Sequence, residues 1–180
     1  MREYNQTNSR EAKKDAERST LTGMESSQSE RTGQKEMSDE TLEVMNHILA
    51  NQFTLFTKTL NYHWNVTGPR FFSLHQFFEN QYRELLELMD GVAERVRMMG
   101  ESPVSTLREM RSDNTIIETP GKFLSADKMI NDLHAGHEEI QRQIQEALRM
   151  EGMDPGTEDL LVSALRQHQK IGWALKSHLS

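Results

Sequence analysis

The sequence has no cysteine, which excludes disulfides, thiolate zinc sites and iron–sulfur ligation and matches residue usage in a reducing compartment. No apolar run approaches the roughly 20 residues that a membrane-spanning helix needs. The opening residues, MREYNQTNSREAKKDAERST, contain no apolar segment of the kind a secretory signal requires, so a soluble, cytoplasmic protein is expected. Positive charge is in short supply: 21 Lys and Arg stand against 28 Asp and Glu, a formal net charge of -7. That balance opposes a protein built around nucleic-acid phosphates, so DNA binding is expected to be weak or absent. HExxH, Walker and dinucleotide glycine patterns are missing, and no stretch alternates in the manner of a strand. None of the seven histidines has a glutamate three residues before it. The Glu-x-x-His motif of a di-iron site inside a single helical bundle is therefore absent.

What is present divides into a polar tail and a helical body. Residues 1–37 are rich in Ser, Thr, Glu, Lys and Arg and show no hydrophobic period, so they are expected to be a disordered tail. Residues 1–40 hold seven Lys or Arg against nine Asp or Glu, a polyampholyte at -2 and a poor DNA-binding arm. The body, 38–180, carries apolar residues at three- and four-residue steps. Leu42, Met45, Leu49, Phe53, Phe56 and Leu60 mark a helix from Ser38 or Asp39 to about Val66, ended by Thr67-Gly68-Pro69. Phe72, Phe78, Tyr82, Leu85, Leu86, Met89, Val92, Val96 and Met99 mark a second, closed by Gly100. Ser125 is expected to cap a third, with Met129, Ile130, Leu133, Ile140, Ile144 and Leu148 inside. A breaker-rich loop, 151–156, precedes a fourth with Leu160, Leu161, Ala164, Leu165, Ile171 and Leu175. The connection from Glu101 to Leu124 is too long for a turn and reads as a crossover, with a short helix near 106–113. The expected fold is all-α, a ferritin-like four-helix bundle with one long crossover.

Five candidate metal ligands punctuate Asn61 to Glu94: His63, His75, Glu79, Asp90 and Glu94. Asp90 and Glu94 share one helix face, and His75 and Glu79 repeat the four-residue spacing. Imidazole with carboxylate suits iron, manganese or zinc. Each signal alone also fits an ordinary residue: a solvated acidic face, an exposed histidine, an interface filler. Nineteen residues separate His75 from Glu94 on one helix, about 28 Å at roughly 1.5 Å per residue. They cannot hold one ion within one chain. Either the helix carries two separate half-sites, or a two-fold mate brings its His75 end to this chain's Glu94 end.

The stretch HWNVTGPRFFSLHQFFENQYRELLELMDGVAER resembles the signature of the Dps family, the ferritin-like DNA-binding proteins from starved cells. The intervals through His63, His75, Glu79, Asp90 and Glu94 are 12, 4, 11 and 4. Gly100-Glu101-Ser102-Pro103 and the ending HQKIGWAL (168–175) extend the likeness to about residues 40–180. The resemblance implies a hollow dodecamer built from two-fold dimers. His63 and His75 of one chain would meet Asp90 and Glu94 of its mate in a ferroxidase site, with Glu79 as a further ligand. There, the resemblance implies, Fe(II) would be oxidised, preferably by hydrogen peroxide, and stored as ferric mineral, protecting against oxidative damage. Zinc could occupy the same site. Glu79 departs from the Asp that many members carry, and its extra methylene alters the second metal position. Trp64 and Trp173 are aromatic positions shared with the family, implying packing near the site. His168 is a further candidate near the metal. Asp127, Asp132, Glu138 and Glu139, with His134 or His137, are candidates for a pore or cavity lining. A DNA-coating nucleoid protein and a zinc- or manganese-binding shell with slow iron turnover stand as the alternatives.

Overall fold

Apolar residues at three- and four-residue steps produce helices wherever the sequence places them. In the computed structural model, which describes residues 39–121 and 123–179, α1 spans 39–65, α2 Phe71–Met98, α3 Leu107–Ser112, α4 Ala126–Ala147 and α5 Pro155–Ser177. The described residues contain no strand. The expected tail, 1–37, lies outside the described residues.

One core joins the four long helices. Met45, Ile48 and Leu55 come from α1, and Leu74, Phe78, Leu85 and Val92 from α2. Met129, Ile130, Leu133, Ile140 and Ile144 come from α4, and Leu161, Ala164 and Leu175 from α5. Full burial of each large side chain contributes about 1.5–3 kcal/mol. The stripe expected on α2 needs correction at two places. Phe72 is 77% exposed and Leu86 53%, whereas Leu74 is completely buried. The buried line runs through Leu74, Phe78, Gln81, Leu85, Met89, Val92 and Val96, which turns Phe72 and Leu86 to the outside.

Side-chain contacts fix the topology. The pairs His63–His75 and Phe56–Tyr82 set α1 antiparallel to α2. Asn51–Gln143 and Tyr62–Asp132 set α1 antiparallel to α4. Hence α2 and α4 run the same way, and the chain between them must return the length of the bundle. That is why the connection is long. The fold is the ferritin-like four-helix bundle with one crossover.

Side chains of α1 hold the crossover. Asn46 accepts from the Val104 amide at 2.9 Å. Asn51, fully buried, accepts from the amides of Thr115 (2.9 Å) and Ile116 (3.1 Å) and donates to His47 O and Gln143 Oε1. Lys58 donates to the Ile117 carbonyl at 2.8 Å. Thr106 and Glu109 form a reciprocal capping box at the start of α3. Ser125 sits at the N-cap of α4 but makes no side-chain capping bond. Pro155 and Gly156 begin α5 instead of lying in the preceding loop. Pro155 occupies the first turn, where its missing N–H costs nothing, and Asp154 accepts from the amides of Gly156 and Thr157.

Candidate metal centre

The sharp turn after α1 positions the first two candidate ligands. Val66 closes the last turn of α1 by donating to the Tyr62 carbonyl, and Phe71 N donates to the Gly68 carbonyl at 2.9 Å. Gly68 has φ +98°, a region that a side chain disfavours. The reversal brings His63 at the end of α1 against His75 in the second turn of α2. Their rings stack at 3.8 Å between centroids, 21° from parallel.

Each ring is tied to the other's backbone. His63 Nδ1 lies 2.8 Å from the His75 carbonyl, and His75 Nδ1 lies 2.8 Å from the His63 carbonyl. A carbonyl only accepts, so Nδ1 carries the proton in both rings. In the neutral rings both Nε2 atoms then keep their lone pairs. This is the tautomer of a metal-binding histidine whose other nitrogen is held by a backbone oxygen. The Tyr82 ring meets His63 edge-on at 5.4 Å, and Phe71 flanks His75 at 5.1 Å.

Glu79 follows His75 by one helical turn. Arg83 Nη2 donates to Glu79 Oε1 at 2.6 Å. The guanidinium's hydrogen bond holds the Glu79 carboxyl below its usual range against desolvation, and the His63 and His75 rings add to the lowering when protonated. Arg83 also lies 5.9 Å from the Tyr82 ring centre. A series of contacts thus runs from the Glu79 carboxylate through the guanidinium and the phenol ring to the two stacked imidazoles.

Asp90 and Glu94 are exposed on the same uninterrupted α2. Nineteen helical residues put Glu94 about 28 Å from His75. Among the described residues no three His, Cys, Asp or Glu side chains gather as a metal cage within the one chain. Nitrogen donors and the Asp90–Glu94 carboxylates are present as two separated sets.

Other candidates have structural partners. His168 is completely buried, with Nδ1 2.9 Å from His137 Nδ1 and Nε2 3.1 Å from Gln52 Nε2. It belongs to the bundle interior with His137, and neither lines a surface. Desolvation holds His168 down at about 3 and His137 well below its usual value. Asp127 pairs with Arg70, and Asp132 with Lys58 (2.9 Å) and Tyr62. Glu139 pairs with Arg142 at 2.6 Å, and Glu138 lies 3.3 Å from His134. Trp64 and Trp173 are 67% and 71% exposed. Arg83 was not among the sequence candidates, although its four-residue spacing from Glu79 is a readable signal.

The ferritin-like domain family matches residues 42–180. A low temperature-induced protein of Nostoc is 36% identical over 141 residues, covering 77% of this chain and 79% of that one. "DNA protection during starvation protein 2" of Bacillus anthracis is 32% identical over 147 residues, 80% of this chain and 99% of its own. The crystal structure of Dps from Thermosynechococcus elongatus superposes with a TM-score of 0.79 at 29% identity, covering 82% of this chain and 95% of that one. With the fold, the matched region and these relatives in agreement, the chain belongs to the Dps family of ferritin-like miniferritins.

Proposed function

We propose that this protein is a ferroxidase and iron store that assembles as a hollow dodecamer from two-fold dimers. In each site His63 and His75 of one chain, with Glu79, would face Asp90 and Glu94 of the mate. Fe(II) is the substrate. Two ferrous ions each give up one electron to hydrogen peroxide, its O–O bond breaks, and the resulting hydroxides go into the ferric mineral. Both reactants that generate hydroxyl radical are consumed together, which protects the cell from oxidative damage.

The reciprocal bonding of His63 and His75 carries this reading, because it leaves both Nε2 atoms as preorganised ligands without carboxylates of the opposite set. Exposed aromatic surface at the same end adds support. Trp64 is 67% exposed, Phe71 46% and Phe72 77%, the kind of face a second chain would cover. A cytoplasmic location is part of the proposal, consistent with the absence of cysteine. Among the described residues no helix is long and apolar enough to cross a membrane.

The test is anaerobic loading of apo-protein with Fe(II), followed by peroxide. A ferric core should form, and the double variant His63→Ala with Asp90→Ala should oxidise iron at least tenfold more slowly. An unchanged rate would overturn the assignment of the site. The same ligands accept zinc or manganese, and elemental analysis of the purified protein addresses that alternative. The Bacillus anthracis relative's name points to DNA protection. A net charge of -7 supplies little affinity for phosphates, so protection by iron removal is favoured over coating. A clear gel shift at moderate salt would reverse that preference.

A further inference from the structure

We propose that Arg83 is a specificity-determining residue of the metal centre, tethering Glu79 and disfavouring a second divalent ion beside the histidine pair. The inference rests on the ligand assignment above.

The geometry gives Arg83 two effects. Its guanidinium donates to Glu79 Oε1 at 2.6 Å, so a metal that uses this oxygen must displace a charge-assisted bond. The same guanidinium lies near the Tyr82 ring, 5.9 Å from its centroid, and Tyr82 touches His63 edge-on. A fixed positive charge is thereby held beside the paired imidazoles. An exposed ion pair of this kind contributes little to stability, since solvent screens it and both side chains lose freedom. The same charge repels a dication twice as strongly as a monocation at the same distance, and most strongly an ion that approaches Glu79 itself.

The length of the side chain at position 79 matters for the same reason. Glutamate reaches one turn along α2 to Arg83, as four-residue pairs do. An aspartate is one methylene shorter and sits closer to its own backbone. The departure from Asp at this position and the presence of Arg83 are then two halves of one device. The first ion, held by the Nε2 atoms, is affected less, because it leaves the Glu79–Arg83 bond intact. A second ion, which needs the carboxylate, meets both the tether and the charge.

The experiment is anaerobic titration of full-length protein with Co(II), read by calorimetry and by the visible spectrum of the bound ion. Wild type should bind one ion tightly per site and a second weakly. Arg83→Gln should strengthen the second step at least tenfold and change the first far less. Arg83→Lys, which keeps the charge, should stay near wild type, and Glu79→Gln should abolish the second step in either background. Arg83 is exposed, so these variants are expected to fold. Identical isotherms for wild type and Arg83→Gln, with binding still lost in His63→Ala, would overturn this inference alone. Binding indifferent to His63→Ala would overturn the site assignment itself.

Discussion

Individual residues carry their chemistry through their hydrogen-bond partners. His63 and His75 each have one nitrogen fixed by a carbonyl and one left free at the end of the bundle, whereas His168 spends both nitrogens inside it, on His137 Nδ1 and Gln52, and the remaining His137 nitrogen, Nε2, is buried without a hydrogen-bond partner. The buried pair should make stability depend on pH. Both are neutral in the fold, His168 held down at about 3 by desolvation, while an unfolded histidine titrates near 6.5. Below about 6.5 the unfolded chain binds more protons, so stability falls with pH, by about 1.4 kcal/mol per unit for each histidine. Urea midpoints measured from pH 7 to pH 4 should fall in wild type and fall less steeply in a His137→Leu, His168→Leu double variant. Parallel slopes would show that other groups govern the loss. The interior location of these two histidines was not legible in the sequence: thirty-one residues separate them, and no local pattern announces the pair. His63 and His75 were legible because a glycine turn and a helical repeat lie between them.

Among the helices, periodicity fixed existence and order, and it failed where surface and core residues are chemically alike. Phe72 and Leu86 are apolar yet face outward, because the α2 stripe runs through Leu74 and Gln81. Pro155 reads as a breaker, but at a first turn it starts a helix. The capping box at Thr106 and Glu109 was present as T-x-x-E in the sequence and marks α3 more sharply than hydrophobicity does. The crossover's path was beyond sequence reasoning, since it depends on bonds from α1 to residues far along the chain. Asn51 is the main anchor. Asn51→Ala should strand the buried Ile116 amide and the part-buried Thr115 amide and cost about 1–3 kcal/mol, seen as a lower denaturant midpoint. Faster hydrogen exchange at Thr115 and Ile116 should accompany it. A midpoint within experimental error of wild type would mean that water replaces the amide oxygen at no cost.

At the scale of the whole molecule, the chain leaves several large apolar side chains exposed. Trp64, Phe72 and Trp173 are each at least two-thirds exposed, at 67%, 77% and 71%. Phe72→Glu should place charge on the face proposed to meet the mate. Light scattering after gel filtration should then report small species in place of the proposed dodecamer, with helical content unchanged. Iron oxidation should fall with it, since each proposed site draws on two chains. An assembly of undiminished mass would place the interface elsewhere. α2 adds one more consequence. It runs without interruption from His75 to Glu94, so one inserted or deleted residue between them would turn everything beyond by about 100° and slide it by about 1.5 Å. Substitutions there alter a side chain, but a change of length puts the two ends out of step. For the proposed site the helix acts as a ruler, and its length matters more to that site than most of its surface residues do.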